Sequence, residues 1–87
     1  MSKMKKLEAL RHCIGRHLAR VIKADDDVTY DPATGRVSDD FGTIVSLRPW
    51  HGRIRMTFYP QDTQFRSKQR RIVTGPKDAE AKLPAIF

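Results

Sequence analysis

From Thr43 to Tyr59 the chain reads TIVSLRPWHGRIRMTFY, with apolar and polar residues alternating on either side of Pro49-Trp50-His51-Gly52. A period of two interrupted once by turn residues predicts a β-hairpin. With an even-length turn centred on those four residues, Leu47 faces Ile54, Val45 faces Met56 and Thr43 faces Phe58, giving one apolar face. The other face then pairs Arg48 with Arg53, Ser46 with Arg55 and Ile44 with Thr57. Two arginines directly opposite, with Cβ atoms about 5 Å apart, repel each other. Solvent, a nearby Asp or an anion brought by a partner must compensate them.

Upstream the period changes. Over residues 3–24, Met4, Leu7, Leu10, Ile14, Leu18, Val21 and Ile22 fall in one arc of about 120°, the signature of an amphipathic helix. Lys5, His12, Arg16, Arg20 and Lys23 form a basic stripe on the far side. Arg11 projects close to the apolar arc, where it must snorkel or meet a partner. Gly15 sits at the edge of the same arc and costs the helix about 1 kcal/mol relative to Ala, so close packing on a sheet is expected there. Asp25-Asp26-Asp27 oppose the dipole at a helix C-terminus, which places the helix end at or just before Ala24.

Val28-Thr29-Tyr30 and Arg36-Val37-Ser38 read as short strands joined by Asp31-Pro32-Ala33-Thr34-Gly35, with Gly35 in the left-handed position that closes the turn. Asp39-Asp40-Phe41-Gly42 is a second turn. After Tyr59 a polar stretch, 60–69, is either a loop pinned by Phe65 or a short helix capped by Asp62. Strand composition returns at Arg70-Arg71-Ile72-Val73-Thr74 and stops at Gly75-Pro76. The expected architecture is α+β: one domain over 1–75, with the N-terminal helix packed on an antiparallel sheet of four to five strands. A C-terminal tail, 76–87, follows. Its end, Lys82-Leu83-Pro84-Ala85-Ile86-Phe87, has the form of a docking peptide and equally that of a cap on its own core.

Eighty-seven residues with 39% hydrophobic content supply one modest core, with little left to bury a large cofactor, and none is expected. A single cysteine, Cys13, excludes an internal disulfide and fits a reducing compartment. No apolar run approaches the roughly 18 residues of a membrane span, and no signal-peptide core follows the basic start. A cytoplasmic protein without a membrane partner is the expectation.

Charge changes the picture most. The net charge is +7, and it is unevenly placed. Residues 1–24 carry seven Lys/Arg against Glu8, and 48–71 carry seven against Asp62, whereas 25–40 hold six Asp and only Arg36. Such polarity favours anionic partners. Arg48, Trp50, His51, Arg53, Arg55 and Tyr59, continued by Arg66, Lys68, Arg70 and Arg71, combine guanidinium forks for phosphates with rings for bases. A two-stranded ribbon of this kind also fits a major groove. The helical stripe, Lys5, His12, Arg16, Arg20 and Lys23, is a secondary candidate, with an ordinary solvated face as its alternative.

Other chemistries have weaker signals. The aspartates have turn-like spacing without a calcium-loop pattern, so they are expected to lie away from the binding face and to hold no metal. His12, His17 and His51 are too scattered for a zinc site, and the Cys13/His17 pair has no third orienting group. Three functions follow in order. The first is non-catalytic binding of DNA or RNA, with phosphates on the arginine ribbon. The second is an inhibitor or adaptor, of the kind phages and mobile elements encode, that uses the basic face against an acidic or nucleic-acid-binding protein surface. The third is a small toxin-like ribonuclease, with His51, Arg53, Arg55 and Tyr59 as acid–base and phosphate groups. The outline loosely resembles RelE-type toxins, but those usually open with two helices and no motif aligns residue by residue.

Overall fold

The computed structural model describes residues 3–22, 27–40, 42–59 and 69–83. The elements run α1 (Lys3–Val21), β1 (Thr29–Asp31), β2 (Arg36–Asp39), β3 (Gly42–Trp50), β4 (Arg53–Phe58), β5 (Gln69–Val73) and α2 (Pro76–Ala81). The strands form one antiparallel meander in sequence order, and α1 packs across its inner face. The α+β class expected from the sequence is the class observed.

The core lies between α1 and that face. Ile14, Leu18 and Ile22 are buried with Val37, Val45, Leu47, Ile54, Met56 and Val73, while Leu7, Leu10, Val21 and Phe58 pack around them half-buried. Helix spacing and strand alternation each present one apolar face, and a small domain buries both by pairing them. The last turn of α1 closes with Ile22 N–H donating to the Leu18 carbonyl at 2.9 Å. Lys23, Asp25 and Asp26 lie outside the described residues, as does the side chain of Met4.

Gly15 is explained by a close approach. The Tyr30 ring on β1 lies where a Cβ on Gly15 would stand, so only glycine lets the strand come this near the helix. The Tyr30 hydroxyl then reaches His12 Nδ1 at 2.8 Å. Burial raises the Tyr30 pKa above its ordinary value, with Arg11 and Arg16 nearby pulling in the opposite direction. Gly15→Ala is expected to gain about 1 kcal/mol of helix propensity and lose more to overpacking, for a net loss of up to about 2 kcal/mol in urea unfolding. In a Tyr30→Ala background the same change should turn stabilising. A stabilising effect in the wild-type background would show that Tyr30 yields freely.

Arg11 finds its partner as the apolar arc required, donating from Nη2 to the Pro32 carbonyl at 3.2 Å. The turn it meets is tied by Asp31, whose carboxylate accepts from Ala33 N–H at 2.9 Å and Thr34 Oγ1 at 3.0 Å. Gly35 adopts φ 73°, the left-handed position anticipated for it.

The central hairpin departs from the expected register. Its turn is His51-Gly52 alone, with φ 47° and 76°, a pairing of left-handed residues that matches strand twist in two-residue hairpins. β3 therefore continues through Pro49 and Trp50, and Trp50 pairs with Arg53, Pro49 with Ile54, Arg48 with Arg55, Leu47 with Met56, Ser46 with Thr57 and Val45 with Phe58. Every pair has moved by two positions, which leaves each residue on the face expected of it. Proline is tolerated because β2 pairs with β3 no further than Ser46, beyond which only Leu47 N–H reaches across to the Gly35 carbonyl. No neighbouring strand asks for the N–H that Pro49 lacks.

Ile44 is the second departure. Expected opposite Thr57 on the polar face, it belongs to the buried cluster. The β2–β3 register slips between Val37 and Ser38, and Ile44 is the residue of β3 left without a partner on β2. Its pairing with β4 is undisturbed, because Tyr59 N–H donates to the Ile44 carbonyl at 2.8 Å, so the departure lies in its burial.

The chain beyond Gly75 is more than a tail. α2 begins at Pro76, a residue suited to a first helical turn, and buries Ala79 against the core with Leu83 beside it. Asp78 fastens it by accepting from Thr74 N–H at 2.9 Å and Lys82 Nζ at 3.1 Å, contacts that hold its pKa below the ordinary carboxylate value. His17 on α1 donates from Nε2 to Glu80 Oε1 at 2.8 Å, which ties the two helices together. On β5 the Arg70 carbonyl accepts from Arg71 Nη1 at 2.9 Å and the Ile72 carbonyl from Lys82 Nζ at 2.7 Å. Side chains thus occupy backbone acceptors along the last strand.

Candidate anion-binding face

Directly paired residues share a face, so the ladder shows what the sheet presents on the side away from α1. One row crosses it as Arg36, Ser46, Thr57 and Arg70, the next as Arg48, Arg55 and Ile72, and the last, at the hairpin tip, as Trp50 and Arg53. Five arginines thus point to one side, with no carboxylate on the β3, β4 or β5 positions of that face. Among the described residues the ion pairs are His17–Glu80 and Lys82–Asp78, and neither includes any of the five.

Arg48 and Arg55 are the like-charged pair directly opposite, where Arg48 and Arg53 were expected. Cα atoms in such hydrogen-bonded positions lie about 5.5 Å apart. Among the described residues the relief is aromatic. The Arg55 guanidinium lies over the Trp50 ring, 4.2 Å from its centroid, and its Nε is buried with no hydrogen-bond partner. His51 meets the indole edge-on, with centroids 4.5 Å apart. Trp50 nevertheless remains 43% exposed, so it does not fold back onto the core.

The centre of this face is closed. Ser46 and Thr57 are buried, and the Ser46 and Tyr59 hydroxyls are 3.2 Å apart. Tyr59, grouped with the arginines from sequence, thus has a structural bond here. Arg71 pairs with Met56, which sets it on the opposite side from Arg70. The two adjacent arginines do not act as one cluster. Arg66 and Lys68 lie outside the described residues, as do the rest of 60–68 and the end of the chain, 84–87.

Arg36 joins the face unannounced. In the sequence it is the lone base in an acidic block, and only the pairing of β2 with β3 places it beside Ser46. Its neighbour across the sheet is Asp31, so the acidic segment is not wholly remote from the basic face. Asp31, Asp39 and Asp40 line a shallow concavity with Arg36 and Thr34 at the β1–β2 side. Among the described residues no three His, Cys, Asp or Glu side chains converge as metal ligands. The helical stripe stands on the other side of the molecule, since α1 covers the inner face. Within it His12 is engaged by Tyr30, whereas Arg16 and Arg20 border a cleft with Ala19, Val28 and Tyr30. Cys13 is exposed, and His17 turns to Glu80.

No known protein family, characterised protein or solved structure matches this chain significantly. Among the described residues no helix is long and apolar enough to cross a membrane.

Proposed function

We propose that the chain is a non-catalytic nucleic-acid-binding protein of the cytoplasm that holds phosphates on Arg36, Arg48, Arg53, Arg55 and Arg70. The observation that carries this reading is the arginine face itself: five guanidinium groups on one side of the sheet, with no carboxylate at its β3, β4 and β5 positions and Asp31 paired with Arg36 alone. Fixed like charges on a sheet repel in the free protein, and a phosphate chain bridging them relieves that repulsion through charge-assisted forks. Arg48 and Arg55 stand one strand apart in one row, and Arg53 is two residues along β4 on the same face, a spacing that lets one anionic chain meet all three. The single cysteine and net charge of +7 fit the same setting.

The test is the salt dependence of binding to mixed-sequence oligonucleotides, followed by anisotropy. Between three and five phosphate contacts should give a log K against log[salt] slope of about −2 to −3.5 on single strands. Absence of binding at low salt, or binding indifferent to salt, would sink the reading. The rival, an inhibitor that turns the same face to an acidic protein surface, predicts that free oligonucleotides bind poorly at every salt concentration.

A further inference from the structure

We infer that the nucleic acid this face takes is single-stranded, with one unpaired base stacked on Trp50 and the flanking phosphates held by Arg48 and Arg53. The inference rests on the arginine-face reading and narrows it. Its starting point is the indole. Arg55 covers one face of Trp50 and His51 meets its edge, yet the side chain is 43% exposed. The opposite indole face is the part without a partner among the described residues.

Three features make that surface a stacking platform. First, the ring is held: it sits on β3, paired with Arg53, with a guanidinium against its back, so little rotamer freedom is lost on binding. Second, the cations flank it. Arg53 is directly opposite Trp50, and Arg48 is two residues back on the same face. Third, the tip is exposed throughout, with Arg48, Pro49, Trp50, His51, Gly52 and Arg53 all open to solvent. The backbone there is also unusual, because His51 holds a positive φ that most non-glycine residues avoid.

A duplex fits this geometry poorly. A base can stack on an indole only when its own face is free, and in a duplex both faces are covered by neighbouring pairs. Groove entry is also blocked. The major groove, about 12 Å wide, admits a two-stranded ribbon. Here β5 flanks β4 as far as Ile54 and β2 flanks β3 as far as Ser46, so the rung Trp50/Arg53 and its turn alone stand clear of both. Strands β2 to β5 span about 14 Å between outer axes before side chains are counted, too broad to follow the ribbon in.

Trp50 is the single tryptophan of the chain, so its fluorescence reports on the site directly. The 87-residue chain would be titrated with oligo(dT), oligo(U) and a mixed-sequence duplex, each about 12 nucleotides long, within the usual single-strand site range. Both single strands should quench Trp50 and bind at least tenfold more tightly than the duplex. Trp50→Ala, checked for folding by circular dichroism, should weaken single-strand binding about 5- to 150-fold, and Trp50→Phe should recover part of the loss. The salt slope should stay unchanged in both variants, because the phosphate contacts remain. Duplex binding equal to or tighter than single-strand binding, unquenched fluorescence at saturation, or full affinity in Trp50→Ala would each overturn the stacking inference while leaving the arginine face standing. Failure of all three nucleic acids to bind at low salt would overturn both.

Discussion

Replacing Leu18 by alanine is expected to lower the unfolding free energy by about 2–5 kcal/mol. Leu18 is fully buried near the C-terminal end of α1, at the junction of the helix with the inner face of the sheet. Removing its isobutyl group forfeits the transfer of apolar surface and leaves a cavity that strands β3 and β4 cannot collapse into without breaking their ladder. In a domain of this size total stability is on the order of 5–15 kcal/mol, so the loss is a large share of it. Each kcal/mol corresponds to roughly 4–8 °C in Tm here, and a drop of about 8–40 °C should follow. Thermal unfolding by circular dichroism measures it directly. A loss under about 0.5 kcal/mol, the range of ordinary surface changes, would remove Leu18 from the core.

The second large effect is on binding. The triple variant Arg48→Ala, Arg53→Ala, Arg55→Ala should flatten the log K against log[salt] slope by about 2 units on single strands, since each phosphate that an arginine neutralises there releases roughly 0.7 counterions. Affinity at low salt should fall by orders of magnitude. Stability should hardly move, and the reason differs between positions. Arg48 is exposed and faces Arg55 across the ladder, so its removal takes away a repulsion. Arg55 also stacks on Trp50, and the absence of that stacking offsets part of the gain. A variant that folds normally and binds as tightly as wild type, with the same slope, would refute the assignment of phosphates to this row.

Much of the fold was legible because two periods are unambiguous. The spacing of Leu7, Leu10, Ile14 and Leu18 admits only a helix, and the alternation across β3 and β4 survives any even turn. That parity is also why the three arginines of the tip were placed correctly on one face although their partners were not. What the residues alone could not give was the turn length. His51 is a poor advertisement for a left-handed residue, and Pro49 argues against a strand unless the missing neighbour of β3 is known. The bulge at Ile44 hides for a similar reason, since it depends on how β2 meets β3. Pro76 has two meanings, strand stop and helix start, and only burial of Ala79 decides between them. Arg36 entered the candidate site through pairing, a property of two strands that neither shows by itself.

The side-chain capping of β5 bears on how the protein behaves when crowded. A sheet grows into a fibril only if each molecule offers two free edges, one to donate and one to receive. Here Arg71 and Lys82 already fill carbonyls along one of them. The other edge, β1, is three residues long. A strand added at β5 would have to displace the Arg71 and Lys82 contacts before it could pair, whereas one added at β1 would find only three residues to pair with.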